Sequence, residues 1–294
     1  MIDLAGRVAQ ARDTLLAAGI PADEAAGDAE VLARHALQWD LTQYTLARRD
    51  PAPADFPEAF DRLIARRARR EPVSQIVGHR EFWGLEFEVT RDVLTPRPES
   101  ELVVQAALND AHRRKPGLIV DVGTGSGCLA IALAREFPGA QLIATDLSHK
   151  ALAVARRNAK RHGVDNRIAF YLTDLLPPVP QIDLIVSNPP YVSRQDAASL
   201  APEVREYEPD LALFAGGDGL DVYRRLLPEA RYEIAEEGRL ILELGVNQAQ
   251  PVADLAVAAG WEVERLDRDL QGIERTLTLR PSPSYDQRTD LLDR

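Results

Sequence analysis

Short apolar runs alternating with helical patterns set the strongest limit on what this chain can fold into. Leu118-Ile119-Val120, Gln141 to Thr145, Arg167 to Tyr171, Ile182 to Ser187 and Leu240 to Leu244 have strand length and too little polar alternation for a half-exposed sheet. Helical segments separate them, among them Leu129 to Phe137, Lys150 to His162 and Tyr223 to Ala235. Strands that are apolar on both sides need helices on both faces, so the order predicts an α/β fold with a mainly parallel sheet. Two last runs, Trp261 to Leu266 and Arg275 to Leu279, are placed to close that sheet as a hairpin.

At the end of the first run, Asp121-Val122 leads into Gly123-Thr124-Gly125-Ser126-Gly127 and directly on to a helix. Glycines at a strand-to-helix turn let backbone approach a ligand, and the helix start presents free N–H groups. The spacing differs from the G-x-G-x-x-G dinucleotide fingerprint. The second run ends in Asp146, where a carboxylate can accept hydrogen bonds from both hydroxyls of a ribose. Together they point to a nucleoside at the carboxyl edge of the sheet. Asp174 follows the third run at the same edge and fits two roles, an acceptor for a purine amine or a turn cap. Cys128 reads as a small packing residue, since no histidine lies near it to make it a nucleophile.

The fourth run ends in Asn188-Pro189-Pro190-Tyr191. Two prolines stop the strand and stiffen the turn, which leaves the Asn188 side-chain oxygen and the Pro189 carbonyl as acceptors. Two acceptors at a rigid corner suit an –NH2 group, and Tyr191 offers a flat face to the plane that carries it. Alone, the corner also reads as a strand terminator; its place after a glycine loop and a ribose acid favours the binding role.

The N-terminal stretch is different in kind. Leu4, Val8, Ala11 and Leu15, then Ala25, Ala29, Leu32 and Ala36, repeat at helical spacing. A third amphipathic segment runs from Glu58 to about Arg70 and carries Arg62, Arg66, Arg67, Arg69 and Arg70. That cluster is either a solvated helix face or a docking surface for a protein partner. Gln75 to Thr90 has the aromatic and β-branched content of a hairpin, with Gly78 and Gly84 as turn candidates. The expected division is a helical domain over 1–72, a hairpin linker over 73–97, a catalytic domain over 98–280 and a loose tail over 281–294. Acidic side chains number 46 against 35 basic ones, a net charge of −11 that argues against a nucleic-acid substrate. One cysteine excludes an intrachain disulfide, and no Cys/His metal spacing exists among His35, His79, His112, His149 and His162. No apolar run approaches the roughly 20 residues of a membrane span, and Asp3 and Arg7 stand where a signal peptide needs apolar residues. A cytoplasmic protein is expected.

Glycine loop, ribose acid and Asn-Pro-Pro-Tyr in this order resemble class I S-adenosylmethionine-dependent methyltransferases that act on exocyclic or amide nitrogen. Three further stretches narrow the resemblance: Arg70 to Gly84 (REPVSQIVGHREFWG), Leu94 to Glu101 (LTPRPESE) and Glu206 to Leu213 (EYEPDLAL). They are similar to the signature stretches of the PrmC/HemK family, peptide chain release factor glutamine N5-methyltransferases. The resemblance spans about residues 1–280. It implies a seven-stranded Rossmann-like sheet behind a small helical domain, and methyl transfer to the glutamine of the release factors' GGQ loop. By the same resemblance, Gly123, Thr124, Gly125, Ser126, Gly127 and Asp146 hold S-adenosylmethionine, with Asp174, Leu175 and Asn188 beside it and S-adenosylhomocysteine as product. Asn188, Pro189, Pro190 and Tyr191 grip the substrate amide. Relatives often carry an aromatic residue where Leu175 stands, which implies looser adenine packing here. Thr95 to Glu99 is expected to line the cleft, and the helical domain to dock the release factor through Arg66 and Arg67. No metal is expected. The alternatives are an amino-methyltransferase of nucleic-acid bases and a non-catalytic module that senses S-adenosylmethionine.

Overall fold

The computed structural model describes residues 3–111, 115–179 and 181–283. His112 and the chain from residue 284 on lie outside the described residues. Two compact units emerge. One comprises the chain up to His79 together with Ala201–Tyr207, and the other comprises Arg80–Leu200 and the chain from Glu208 on.

The first unit is helical, with α1 (Leu4–Ala17), α2 (Ala22–Leu37), α3 (Leu41–Ala47), α4 (Phe56–Ala68) and α5 (Val73–Val77). Asp3 caps α1 by accepting from the Gly6 N–H, and Asp40 with Gln43 forms a reciprocal capping box on α3. The apolar stripes meet in one core that includes Leu15, Leu32, Phe56, Phe60 and Ile76.

The unit runs past residue 72, where the sequence suggests a boundary. Pro72 starts α5 rather than a strand, Gly78 ends it in the left-handed conformation, and Ile76 is buried in the helical core. The arginine run is likewise not a free basic face. Arg67 is buried, its side chain 3% exposed, and donates to Asp28, Glu203 and Glu24 at 2.6, 2.7 and 3.1 Å. Arg70 pairs with Glu203, Arg66 with Glu71, and Arg62 with Glu58. Glu203 lies on α9 (Pro202–Tyr207), the short segment that joins this unit from far along the chain. Gln75 Nε2 donates to the Tyr207 carbonyl and Tyr207 Oη to the Arg69 carbonyl, which complete its attachment.

The hairpin comprises β1 (His79–Phe82) and β2 (Leu85–Glu88), shorter than the stretch from Gln75. Trp83 and Gly84 both have positive φ, 53° and 66°, as a tight hairpin turn requires. The second unit continues with α6 (Glu101–Asp110), β3 (Leu118–Val122), α7 (Cys128–Glu136), β4 (Gln141–Asp146), α8 (His149–Arg161), β5 (Ile168–Leu172) and β6 (Ile182–Ser187). After α9 follow α10 (Asp210–Leu213), α11 (Asp221–Glu233), β7 (Ile234–Glu243), α12 (Ala249–Ala258), β8 (Trp261–Arg268) and β9 (Glu274–Pro281).

The seven strands β3–β9 form one sheet in the order β5-β4-β3-β6-β7-β9-β8. The pairs from β5 to β7 are parallel, and β9 runs antiparallel to both β7 and β8. Successive residues alternate between two cores, which is why the runs look uniformly apolar in sequence. Ile119, Leu184, Val186 and Ile241 face a core with α6 and α7. Val120, Ile185, Leu240 and Leu242 face one with α11 and α12. Pro281, the expected start of the tail, still pairs with Trp261, and the Ser282 N–H donates to the Gly260 carbonyl. None of the described helices is long and apolar enough to cross a membrane.

Candidate active site

The strand order reverses beside β3, with β4 on one side and β6 on the other, which opens a crevice at the carboxyl ends of these strands. A cavity of about 560 Å³ occupies it, a size ordinary for a small-molecule site. Gly123, Gly125, Asp146, Asp174, Leu175, Asn188, Pro189 and Pro190 all line it. Residues from four separate stretches of chain thus meet at one cavity. Thr124, Ser126, Gly127 and Tyr191 are not among the lining residues, and each has a structural reason.

Thr124 is buried, with its N–H on the Thr145 carbonyl (2.8 Å) and its hydroxyl on Asp121 Oδ2 (2.6 Å). Ser126 is buried and offers its carbonyl to Asn158 Nδ2 (2.9 Å). Gly127 starts α7 at φ +84°, and a Cβ there would lie 3.1 Å from Ile131 and 3.2 Å from Ala155. It lets α7 and α8 close on the loop. Asn158 also accepts from the Glu88 N–H and donates to the Glu88 carbonyl, so one buried side chain ties the loop to the hairpin. Nothing in the sequence pattern of α8 distinguishes this asparagine.

Gly123 presents open space, with no atom within 4 Å of where a Cβ would stand. Asp146 accepts from the Gly125 N–H at 2.9 Å and the Ser148 N–H at 2.8 Å. Each oxygen takes one bond and keeps a lone pair, so the carboxylate is held rigidly yet can accept from two more hydroxyls. Burial raises its pKa above the ordinary carboxylate value, and the backbone donors oppose that shift. Behind the loop, Asp121 is fully enclosed and burial pushes it up to about 7, with Thr124 and the Ala130 N–H acting against this. Asp174 forms an ion pair with Arg225 at the cavity edge, so one of its oxygens is already engaged. Leu175 adopts φ +58° and is buried, its carbonyl accepting from Thr145 Oγ1 at 2.8 Å.

At the corner after β6, Asn188 Nδ2 donates to Ser100 Oγ at 3.0 Å. Among the described residues neither Asn188 Oδ1 nor the Pro189 carbonyl has a hydrogen-bond partner. Tyr191 turns away from the cavity. Its hydroxyl donates to Glu243 Oε1 at 3.2 Å, its ring packs into the core shared with α11 and α12, and its carbonyl accepts from Gln248 Nε2 at 2.9 Å. Desolvation and the neighbouring Glu243 carboxyl both push its phenol upward. The expected stacking face is therefore spent on packing. Thr95 to Glu99 also stay out of the lining, which is supplied instead by Arg91, Asp92, Val93 and Leu94. Thr95 is buried and its N–H donates to Glu208 at 3.3 Å, while Arg97 donates to the other oxygen of Glu208 at 2.6 Å. Sequence reading passes over Ser100, Glu243 and Gln248, because a corner's support comes from strands and helices far away in the chain. Among the described residues no group of three or more His, Cys, Asp or Glu side chains could hold a metal ion.

S-adenosylmethionine fits these residues. The glycine turn is open where a ligand must approach, and Asp146 has lone pairs for a ribose.

Residues 8–78 match the model of the PrmC N-terminal domain, and residues 99–211 that of the methyltransferase small domain. A release factor glutamine methyltransferase of Cereibacter sphaeroides is 48% identical over 267 residues, covering 90% of this chain and 94% of that protein. One from Bradyrhizobium diazoefficiens is 42% identical over 273 residues, with 89% and 90% covered. Among solved structures, a hMettl16 catalytic domain in complex with a 3'UTR hairpin superposes with a TM-score of 0.55 at 17% identity, covering 87% of this chain and 95% of that one. A Pyrococcus furiosus methyltransferase gives 0.50 at 18% identity, with 73% and 97% covered. These two likenesses show the class I methyltransferase fold. With the sheet order, the glycine loop, the Asn-Pro-Pro-Tyr corner and relatives of this identity along nearly its whole length, the chain belongs to the release factor glutamine methyltransferases.

Proposed function

We propose that this chain transfers the methyl group of S-adenosylmethionine to the side-chain amide nitrogen N5 of the glutamine in the GGQ loop of peptide chain release factors. One observation carries the reading: Asn188 and Pro189, whose Oδ1 and carbonyl have no hydrogen-bond partner among the described residues, line the cavity that also contains the glycine turn and Asp146. When bound, S-adenosylmethionine supplies an electrophilic methyl on sulfur. An amide nitrogen is a poor nucleophile because its lone pair is delocalised into the carbonyl. Asn188 Oδ1 and the Pro189 carbonyl accept from its two N–H groups, raise the electron density on nitrogen and aim it for in-line attack. The nitrogen sheds a proton after the methyl arrives, so the corner needs no strong base. Asp146 holds the ribose, Gly123 and Gly125 line the backbone approach, and Asp174 and Leu175 flank the adenine.

The helical unit is the docking platform in this reading, because a pocket that grips one amide discriminates poorly among proteins. Since Arg67 is buried, docking falls to exposed residues of that unit. The reading assigns the chemistry to no metal, takes protein rather than nucleic acid as substrate, and sets the activity in the cytoplasm with the translation apparatus. The test is incubation with methyl-labelled S-adenosylmethionine and a purified release factor, with tRNA, ribosomal RNA and DNA in parallel. Label on the glutamine of the release factor is expected; label on a nucleic acid alone, or on nothing, overturns the proposal.

A further inference from the structure

The role assigned to Asn188 depends on which end of its amide faces the cavity. A primary amide has two nearly isosteric ends, and rotating it by half a turn replaces the acceptor with a donor. A donor facing the substrate –NH2 would repel it. The corner itself does not decide between the two, because the prolines fix backbone and leave the side chain free to turn.

The decision is made by two residues outside the motif. Ser100 sits at the start of α6 with its side chain buried, and its hydroxyl donates to Glu243 Oε2 at 2.5 Å. Glu243 ends β7 and is 1% exposed. Burial raises the Glu243 carboxyl to about 7, and once ionised it accepts only, so the Ser100 proton then points to it. Ser100 then offers Asn188 nothing but lone pairs, and only the Nδ2 end of Asn188 can meet them. That contact is the observed one, at 3.0 Å. Tyr191 donates to the second oxygen of the same carboxylate, which holds Glu243 from its other side.

We propose that Ser100 and Glu243 are positioning residues that lock the hydrogen-bond polarity of Asn188 while Glu243 is ionised, so that its oxygen faces the substrate amide. The proposal rests on the reading that Asn188 accepts from that amide. It gives a purpose to the segment ahead of α6, which does not itself line the cavity: pinned by Glu208 through Thr95 and Arg97, it brings Ser100 under Asn188. Neither residue touches the reacting atoms. The effect is on the fraction of molecules whose corner is oriented for transfer.

The experiment compares the full-length protein with Ser100→Ala, Ser100→Thr, Glu243→Gln, Asn188→Ala and the Ser100→Ala/Asn188→Ala pair. Single-turnover methyl transfer to an intact release factor gives the rate, and calorimetry gives S-adenosylmethionine affinity. Ser100→Ala and Glu243→Gln are expected to lower the rate roughly tenfold or more, with cofactor affinity and the KM for release factor changed by less than about twofold. Ser100→Thr, which keeps the hydroxyl, restores most of the rate. In the Asn188→Ala background, Ser100→Ala has no further effect, because the group it orients is gone. If Asn188→Ala is inactive while Ser100→Ala turns over normally, the lock is refuted and the corner stands. If Asn188→Ala is itself active, the corner reading falls and the lock with it. Loss of cofactor affinity in Ser100→Ala, or no recovery in Ser100→Thr, makes the residue merely structural and overturns the proposal.

Discussion

Replacing Arg67 with methionine separates two accounts of the arginine run. Arg67 gives one donor each to Asp28, Glu203 and Glu24 within the helical unit. The Asp28 and Glu203 side chains are 19% and 15% exposed, so their bonds to Arg67 are shielded from water, whereas Glu24 at 53% exposure adds little. Arg67→Met keeps much of the stem's packing but leaves Asp28 without its cation and Glu203 with Arg70 alone. Breaking a buried pair from one side costs about 3–5 kcal/mol, mostly through the uncompensated charge left behind. Urea denaturation at neutral pH reads this directly. With a slope of about 1–3 kcal/mol per molar, the midpoint of the helical unit falls by more than about 1 M. Amide exchange in α1, α2 and α4 rises in step, because these helices share that core. A docking arginine behaves differently: its variant folds normally and loses only a salt-sensitive rate on the release factor. A stability loss under about 1 kcal/mol would refute the reasoning and return Arg67 to the docking face.

Asp146→Ala removes a carboxylate that has lone pairs left for two ribose hydroxyls. Charge-assisted bonds contribute about 1.5–3 kcal/mol each, so calorimetry is expected to show S-adenosylmethionine affinity weakened by at least tenfold, and unchanged affinity removes Asp146 from the site. Gly219→Ala puts a Cβ 2.3 Å from the Tyr191 carbonyl and 2.9 Å from Gln248 Nε2, at φ +79°. It displaces the corner, costs roughly 2–5 kcal/mol in strain and overpacking, and lowers methyl transfer; a variant with native midpoint and rate contradicts the packing described. Asp121, raised by burial from 3.8 to about 7, keeps its proton in the folded chain where the unfolded chain has lost it. Its contribution is therefore full below the unfolded pKa and is lost as pH rises through about 7, a loss of about 4 kcal/mol. Asp121→Asn cannot ionise, so melting curves between pH 5 and 9 are expected to show a shallower decline than the parent, and parallel profiles refute the assignment.

Much of the site was legible because it lies at strand ends. A strand that stops in glycine, in aspartate or in Asn-Pro-Pro puts that residue at the sheet's carboxyl edge whatever the rest of the fold does. Gly123, Asp146 and Asn188 were placed by this rule alone. Tyr191 could not be placed by the same rule. An aromatic residue after two prolines can turn to a ligand or to the core, and the choice was made by Glu243 and the packing around Gly245, more than fifty residues later.

The helical unit shows the same division. Its helices follow from apolar spacing, but spacing could not tell that Arg67 is buried, since an arginine on a helix is ordinarily solvated. Three carboxylates, one of them Glu203 from beyond β6, decide that. Local sequence, then, determined the elements, their order and the residues at each strand end, because capping, turn chemistry and apolar periodicity act over a few residues. Tertiary structure alone decided which side chains turn inward, which buried charges find partners and which end of Asn188 meets Ser100. Those choices depend on donors and acceptors that meet only after the chain has brought Ser100, Glu243 and Asn188 together.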